Sequence, residues 1–206
     1  MLGRSPQGVQ PTGMVGQDER VSSPRLVTSD DWPVAELHAA VLAGELVAVG
    51  PCWASPAEPQ DPALRAAAHG WRLPDPRLVA SGRSAAWIWG ACSRAPEPLE
   101  VSLPSRVRVP VDPDVRLREV RLPPTDVVRF GTVAVTTPLR TAVDLLRVQD
   151  GFDDASAGAV HGLLVTGTVD EDAVHAALDA LGTVPMVRQA ARRLRTLTGR
   201  AGPNRS

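Results

Sequence analysis

Residues 136–147, TTPLRTAVDLLR, read as the opening and body of a helix. Thr136 or Thr137 can accept a hydrogen bond from an amide of the first turn. Pro138 suits the first helical position, where its missing N–H would have had no partner. Leu139, Val143 and Leu146 recur at i, i+4 and i+7, which predicts a buried stripe, while Arg140, Asp144 and Arg147 share the polar face. Arg140 and Asp144 are therefore first an intrahelical ion pair, with a phosphate- or proton-handling pair as the second reading. A second framing helix is predicted over SGRSAAWIWG (81–90), with Ser81 as its N-cap. Trp87 and Trp89 lie two residues apart and face different directions on that helix, so core packing is favoured over a base-stacking platform.

Between the two helices the period changes. LEVSL (99–103) alternates Leu99, Val101 and Leu103 against Glu100 and Ser102, the mark of a half-buried strand. VRLREVRL (115–122) alternates too, but slips by one residue at Arg118 and Glu119, which predicts a β-bulge. Residues 126–130 and 132–135 flank Gly131 and read as a hairpin or a bent pair of strands. Beyond the 136–147 helix, GFDDASAGAVHGLLVTG (151–167), TVDEDAVHAALDALG (168–182) and residues 184–197 read as three more helices. Thr168 and Glu171 in the second of these have capping-box spacing.

Upstream, Asp30 or Asp31 is placed to cap a helix with Pro33 in its first turn, Val34, Leu37 and Val41 as its apolar stripe, and Gly44 as its stop. Residues 45–49 form a strand that turns at Gly50 and Pro51 into Cys52 and Trp53. A helix followed by a two-stranded ribbon is the minimal outline of a winged helix. PAEPQDP (56–62) holds three prolines in seven residues and marks a boundary. The expected class is α+β: a disordered start over 1–24, a small winged-helix-like part over 25–58, and a larger domain over 62–206. That domain would set short helices around a mainly antiparallel sheet and end in helices.

The formal net charge is −1, but its distribution is uneven. All 22 basic residues are Arg, a usage that fits a GC-rich genome without demanding bidentate recognition. Residues 150–182 hold acids and no Arg, whereas residues 183–206 hold Arg and no acid. In that tail Arg188, Arg192 and Arg195 fall at i, i+4 and i+7, with Arg193 beside them. This basic stripe is the candidate surface for phosphates or an acidic partner. Cys52 and Cys92 lie far apart, and the first two dozen residues lack the apolar run of a signal peptide or membrane span. A reduced cytoplasmic protein without a membrane partner is expected.

No phosphate loop, kinase signature, nucleophile elbow or clustered metal-ligand spacing occurs. His38, His69, His161 and His175 fall on separate predicted elements and read as structural or surface groups. No metal or cofactor is expected, and no catalytic residue can be named.

The order of these pieces, a helix-and-ribbon head, SGRSAAWIWG, strands broken by prolines, then GTVAVTTPLRTAVDLLR (131–147) and short helices, resembles the AbiEi-like family of bacterial type IV antitoxins from about Leu26 onward. The resemblance implies an N-terminal winged helix that binds the operator of its own operon, and a C-terminal domain that neutralises a toxin of nucleotidyltransferase fold without needing a stable complex. Covalent modification of the toxin, such as phosphorylation, is a further route it leaves open. One departure bears on DNA binding. No Arg or Lys lies between Arg25 and Arg65, so the head reads as a degenerate winged helix. Any DNA contact would then fall to Arg25, the arginines of 115–122 or the tail.

Overall fold

The computed structural model describes residues 26–103, 109, 112–149 and 151–201, with the side chains of Arg200 and Ala201 left aside. The expectation of disorder over 1–24 lies outside them, as does Arg25. No described helix is long and apolar enough to cross a membrane.

The head contains β1 (Leu26–Val27), α1 (Val34–Leu42), β2 (Val47–Val49) and β3 (Cys52–Ala54). Its strands form an antiparallel sheet in the order β1-β3-β2. The expected ribbon is present, turning at Gly50 with φ of +57°, a conformation that only glycine adopts without strain. A side chain there would also meet the Trp87 ring at 2.9 Å, so Gly50 lets the ribbon press onto the next layer. Two expectations for α1 need correction. Asp31 does not cap the helix; its carboxylate accepts from the Thr28 amide and hydroxyl, both at 2.8 Å. The buried stripe is Leu37 and Ala40, while Val34 remains 46% exposed.

α2 (Pro62–Arg72) starts at Asp61, whose carboxylate accepts from the Leu64 amide at 2.8 Å. There follow β4 (Val79–Ala80), α3 (Gly82–Ile88), β5 (Leu99–Leu103), β6 (Val115–Glu119), a 3-10 turn (Pro124–Asp126), β7 (Val127–Phe130), β8 (Val133–Thr136) and α4 (Pro138–Leu146). The five strands run in the order β6-β5-β4-β8-β7. The α+β class holds, but the sheet is mixed rather than mainly antiparallel: β5–β6 and β4–β8 are parallel, β4–β5 and β7–β8 antiparallel. Each parallel pair is joined through a long connection that local spacing does not reveal.

The predicted bulge is absent. β6 pairs with β5 in unbroken register from Leu99↔Val115 to Leu103↔Glu119, and the Val120 amide still donates to the Leu103 carbonyl at 3.1 Å. The slip in alternation marks the end of the strand, where no pairing constrains the next side chain.

α5 (Asp154–Val165), α6 (Glu171–Ala180) and α7 (Val187–Ala201) complete the described chain. Asp153 caps α5 through the Ser156 amide at 2.8 Å. In α6 the capping box does not form: Asp170 accepts from the Asp172 amide at 3.2 Å, and the Thr168 hydroxyl pairs instead with that of Thr166.

Three apolar clusters hold the layers together. The largest joins Leu146 of α4, Leu163 of α5, Leu178 of α6 and Leu194 of α7, all fully buried. The second brings Val49, Cys52 and Ala54 of the head against Leu64, Trp87, Ile88 and Val135, so residues on both sides of the 56–62 segment share one core. A small third cluster, Leu78, Val101, Leu103 and Val115, lies under the β5–β6 edge. Cys52 and Cys92 are both free, and burial pushes the Cys52 thiol up to about 12, well outside the range of a reactive thiolate.

Candidate functional site

The structure gathers polar chemistry where α3 begins, beside the β5–β6 edge and the polar face of α4. β4 delivers the chain into α3 through Ser81 and Gly82, and Gly82 has φ of +52°. A Cβ on Gly82 would collide with the Glu100 carboxylate. Ser81 occupies the N-cap position, yet its buried hydroxyl accepts from Ser102 at 2.9 Å and makes no cap bond to α3. The orphan amide of Arg83 is taken by Glu100 from the neighbouring strand, at 2.8 Å. The other oxygen of Glu100 accepts from Arg83 Nε at 2.9 Å and Arg116 at 3.3 Å.

α4 begins as expected: the Thr137 hydroxyl accepts from the Arg140 amide at 3.2 Å, and Pro138 takes the first turn. Thr141 is fully buried and ties the helix to β8 through the Thr136 hydroxyl at 2.7 Å. On the polar face, Arg140 bridges Asp144 and Asp126, each at 2.7 Å. The expected i,i+4 pair is therefore one arm of a triad that pins α4 to the turn before β7. Burial pushes the Asp144 carboxyl above its ordinary range, against the pull of Arg140, Arg147 and Arg118. Burial likewise works against the charge of Arg140, and the two flanking carboxylates more than offset it.

Between these walls lies a cleft of about 260 Å³. Arg116 and Arg118 enter it from β6, Arg140, Asp144 and Arg147 from α4, and Glu100 from β5. Four arginines against two carboxylates make it a basic cleft. Arg116 and Arg118 sit two apart on one strand and so share a face; Arg140, Asp144 and Arg147 share a helix face by their 4 and 3 spacings. Each signal is present in the sequence, but it takes the parallel β5–β6 pairing together with the packing of α4 on α3, and of α3 on β5, to bring them together.

The basic tail is divided by the structure. Arg188, Arg192 and Arg195 are exposed on α7. Arg193 turns inward: its guanidinium donates to the Leu146 and Val148 carbonyls, both at 2.7 Å, and stacks over the Phe152 ring at 4.5 Å. Those carbonyls close the end of α4 and have no intrahelical donor. Arg193 is thus engaged in holding α7 to α4, and the stripe available to a partner is Arg188, Arg192 and Arg195. A second depression of about 400 Å³ lies between α5 and α7, with Asp153 and Asp154 on one side and Arg192 and Arg193 on the other. Among the described residues, no group of three or more His, Cys, Asp or Glu is placed to hold a metal ion.

No curated protein sequence matches the chain. Among solved structures, the crystal structure of the RV2827C protein from Mycobacterium tuberculosis is similar at 18% identity and a TM-score of 0.45, over 87% of this chain and 73% of that one. The family model described as the AbiEi antitoxin C-terminal domain matches residues 78–197. That span exceeds half of the 206 residues and contains β4 through most of α7, with the whole lining of the basic cleft. The chain belongs to the AbiEi antitoxin family, and its role is that of the antitoxin in a toxin–antitoxin pair.

Proposed function

We propose that this antitoxin neutralises a cognate toxin of the nucleotidyltransferase-like class in the cytoplasm, without requiring a stable complex with it. The observation that carries the reading is the family match over residues 78–197, which spans the complete unit of sheet, cleft and helical cluster. A nucleotidyltransferase offers a nucleotide-binding site and a nucleic-acid surface, and a transient encounter silences either at substoichiometric antitoxin when it leaves the toxin covalently altered, as by phosphorylation of a hydroxyl near the nucleotide site, where the added charge repels nucleotide phosphates. The test is transfer of labelled nucleotide by the purified product of the adjacent gene, with and without this protein. Loss of transfer at less than one antitoxin per toxin supports the reading. Undiminished transfer at excess antitoxin removes it.

A second reading, binding to the operator of its own operon, is favoured by Arg188, Arg192 and Arg195, which lie exposed along α7 with no ion-pair partner among the described residues. The head contributes little positive charge to such an interface, since α1 carries Glu36 and no Arg or Lys. Phosphate contacts through three arginines predict an affinity that falls steeply with salt, with a log–log slope of about −3 for as many contacts. No retardation of the operator fragment at low salt excludes it.

A further inference from the structure

Of the four arginines that line the basic cleft, two are paired with carboxylates of the protein. Arg116 serves Glu100, and Arg140 is held between Asp144 and Asp126. The two carboxylates of the cleft are in turn satisfied: Glu100 by the Arg83 amide, the Arg83 guanidinium and Arg116, and Asp144 by Arg140. That leaves Arg118 on β6 and Arg147 at the end of α4 without an ion-pair partner among the described residues. Arg147 Nε is moreover buried with no acceptor at all. Buried guanidinium donors are ordinarily paired, because an unmatched one forfeits its hydration for nothing.

We infer that this cleft is a binding site for a phosphate group, carried by a small molecule. Two unspent guanidiniums approach from opposite walls, and a guanidinium presents donors in a planar fork that matches the oxygens of a phosphate. The pair Arg140–Asp144 makes the α4 wall rigid, so the donors need little reordering when a ligand enters. The volume of about 260 Å³ lies just below the usual range of small-molecule pockets, roughly 300–1,000 Å³. It admits a phosphate with a short organic group, or the phosphate end of a nucleotide whose base remains outside. Val101, Val120, Leu145 and Val148 supply the apolar part of the lining, which suits an ester rather than a bare ion pair on an open surface. This site stands apart from the exposed α7 stripe and does not depend on the identity of the toxin.

Calorimetric titration of the full chain with inorganic phosphate and, separately, with ATP tests the inference, using sodium chloride of equal ionic strength as the reference. Wild-type protein is expected to bind one or both saturably. Arg118→Gln, an exposed position whose replacement leaves the core untouched, should weaken binding roughly tenfold or more, and Arg147→Gln by a similar factor where it remains folded. Arg129→Gln, on β7 and outside the cleft, should bind as wild type does. Phosphate binding as tightly as ATP identifies free phosphate as the source; binding of ATP alone identifies a nucleotide. Absence of saturable binding to either probe overturns the inference, as does equal binding by wild type and Arg118→Gln.

Discussion

Arg193 separates a structural role from a binding role, and its replacement by Ala gives a sharp test. Two N–H···O=C bonds at 2.7 Å leave the carbonyls of Leu146 and Val148, and the stack on Phe152 is lost with them. Hydrogen bonds to a charged donor contribute about 1.5–3 kcal/mol each, and a partly exposed cation–π contact about 0.5–1 kcal/mol. Arg193 is half-buried, so water can re-solvate part of what is exposed, and a net loss of about 3 kcal/mol is expected. For a chain of this size each kcal/mol moves Tm by about 2–4 °C, so the variant should melt roughly 6–12 °C below wild type. Arg192→Ala, one residue away and exposed, should stay within about 0.5 kcal/mol. Thermal and urea unfolding of both variants, followed by circular dichroism, provides the comparison. Equal stability of Arg193→Ala and Arg192→Ala would refute the assignment of Arg193 to the α4–α7 junction.

Three further perturbations follow from the same structure. His69 is 2% exposed, and burial pulls its pKa from 6.5 down to about 4. As pH falls the unfolded chain takes up this proton first, so the stability His69 contributes is complete above pH 6.5 and is lost between there and pH 4, by about 3 kcal/mol in all; a His69→Leu variant should show a correspondingly flatter urea midpoint against pH, and an unchanged slope would contradict the buried, neutral imidazole. Gly162 of α5 lies so close to the Ala91 carbonyl that a Cβ would overlap it, and because its backbone is ordinary helix the cost of Gly162→Ala is steric, about 1–3 kcal/mol, measurable as a lowered denaturant midpoint. Glu100→Ala strips the α3 cap and two ion pairs together and should cost about 2–3 kcal/mol by the same measurement, with restoration of less than half by Ser, whose hydroxyl is too short to reach Arg83.

What the sequence made legible, and what it hid, divides along the range of the interactions. The cap and proline of α4, the Gly131 hairpin, the helix within 151–167 and the ribbon at Gly50 all rest on neighbours within a few residues, and each forms as expected. The failures are long-range substitutions for local solutions. Ser81 was placed to cap α3, but Glu100, distant in sequence, reaches the Arg83 amide while Ser102 claims the hydroxyl. Thr168 and Glu171 have the spacing of a box, yet Asp170 stands two residues nearer the helix and supplies a stronger acceptor. The tail arginines were equivalent by charge and spacing; only the approach of α7 to the end of α4 distinguishes Arg193 from its neighbours. The basic cleft was hidden for the same reason. Its arginines were visible as separate pairs on a strand and a helix, but the parallel β5–β6 pairing that unites them depends on a connection whose path no local pattern encodes.

Growth of cells in which the toxin from the adjacent gene is induced with or without this chain tests the central claim most directly. The account predicts arrest with the toxin alone and restored growth when wild-type antitoxin is co-expressed, with the restoration retained in Arg129→Gln, an exposed change on β7 outside both the basic cleft and the α7 stripe. Continued arrest in the presence of folded, wild-type protein would contradict it.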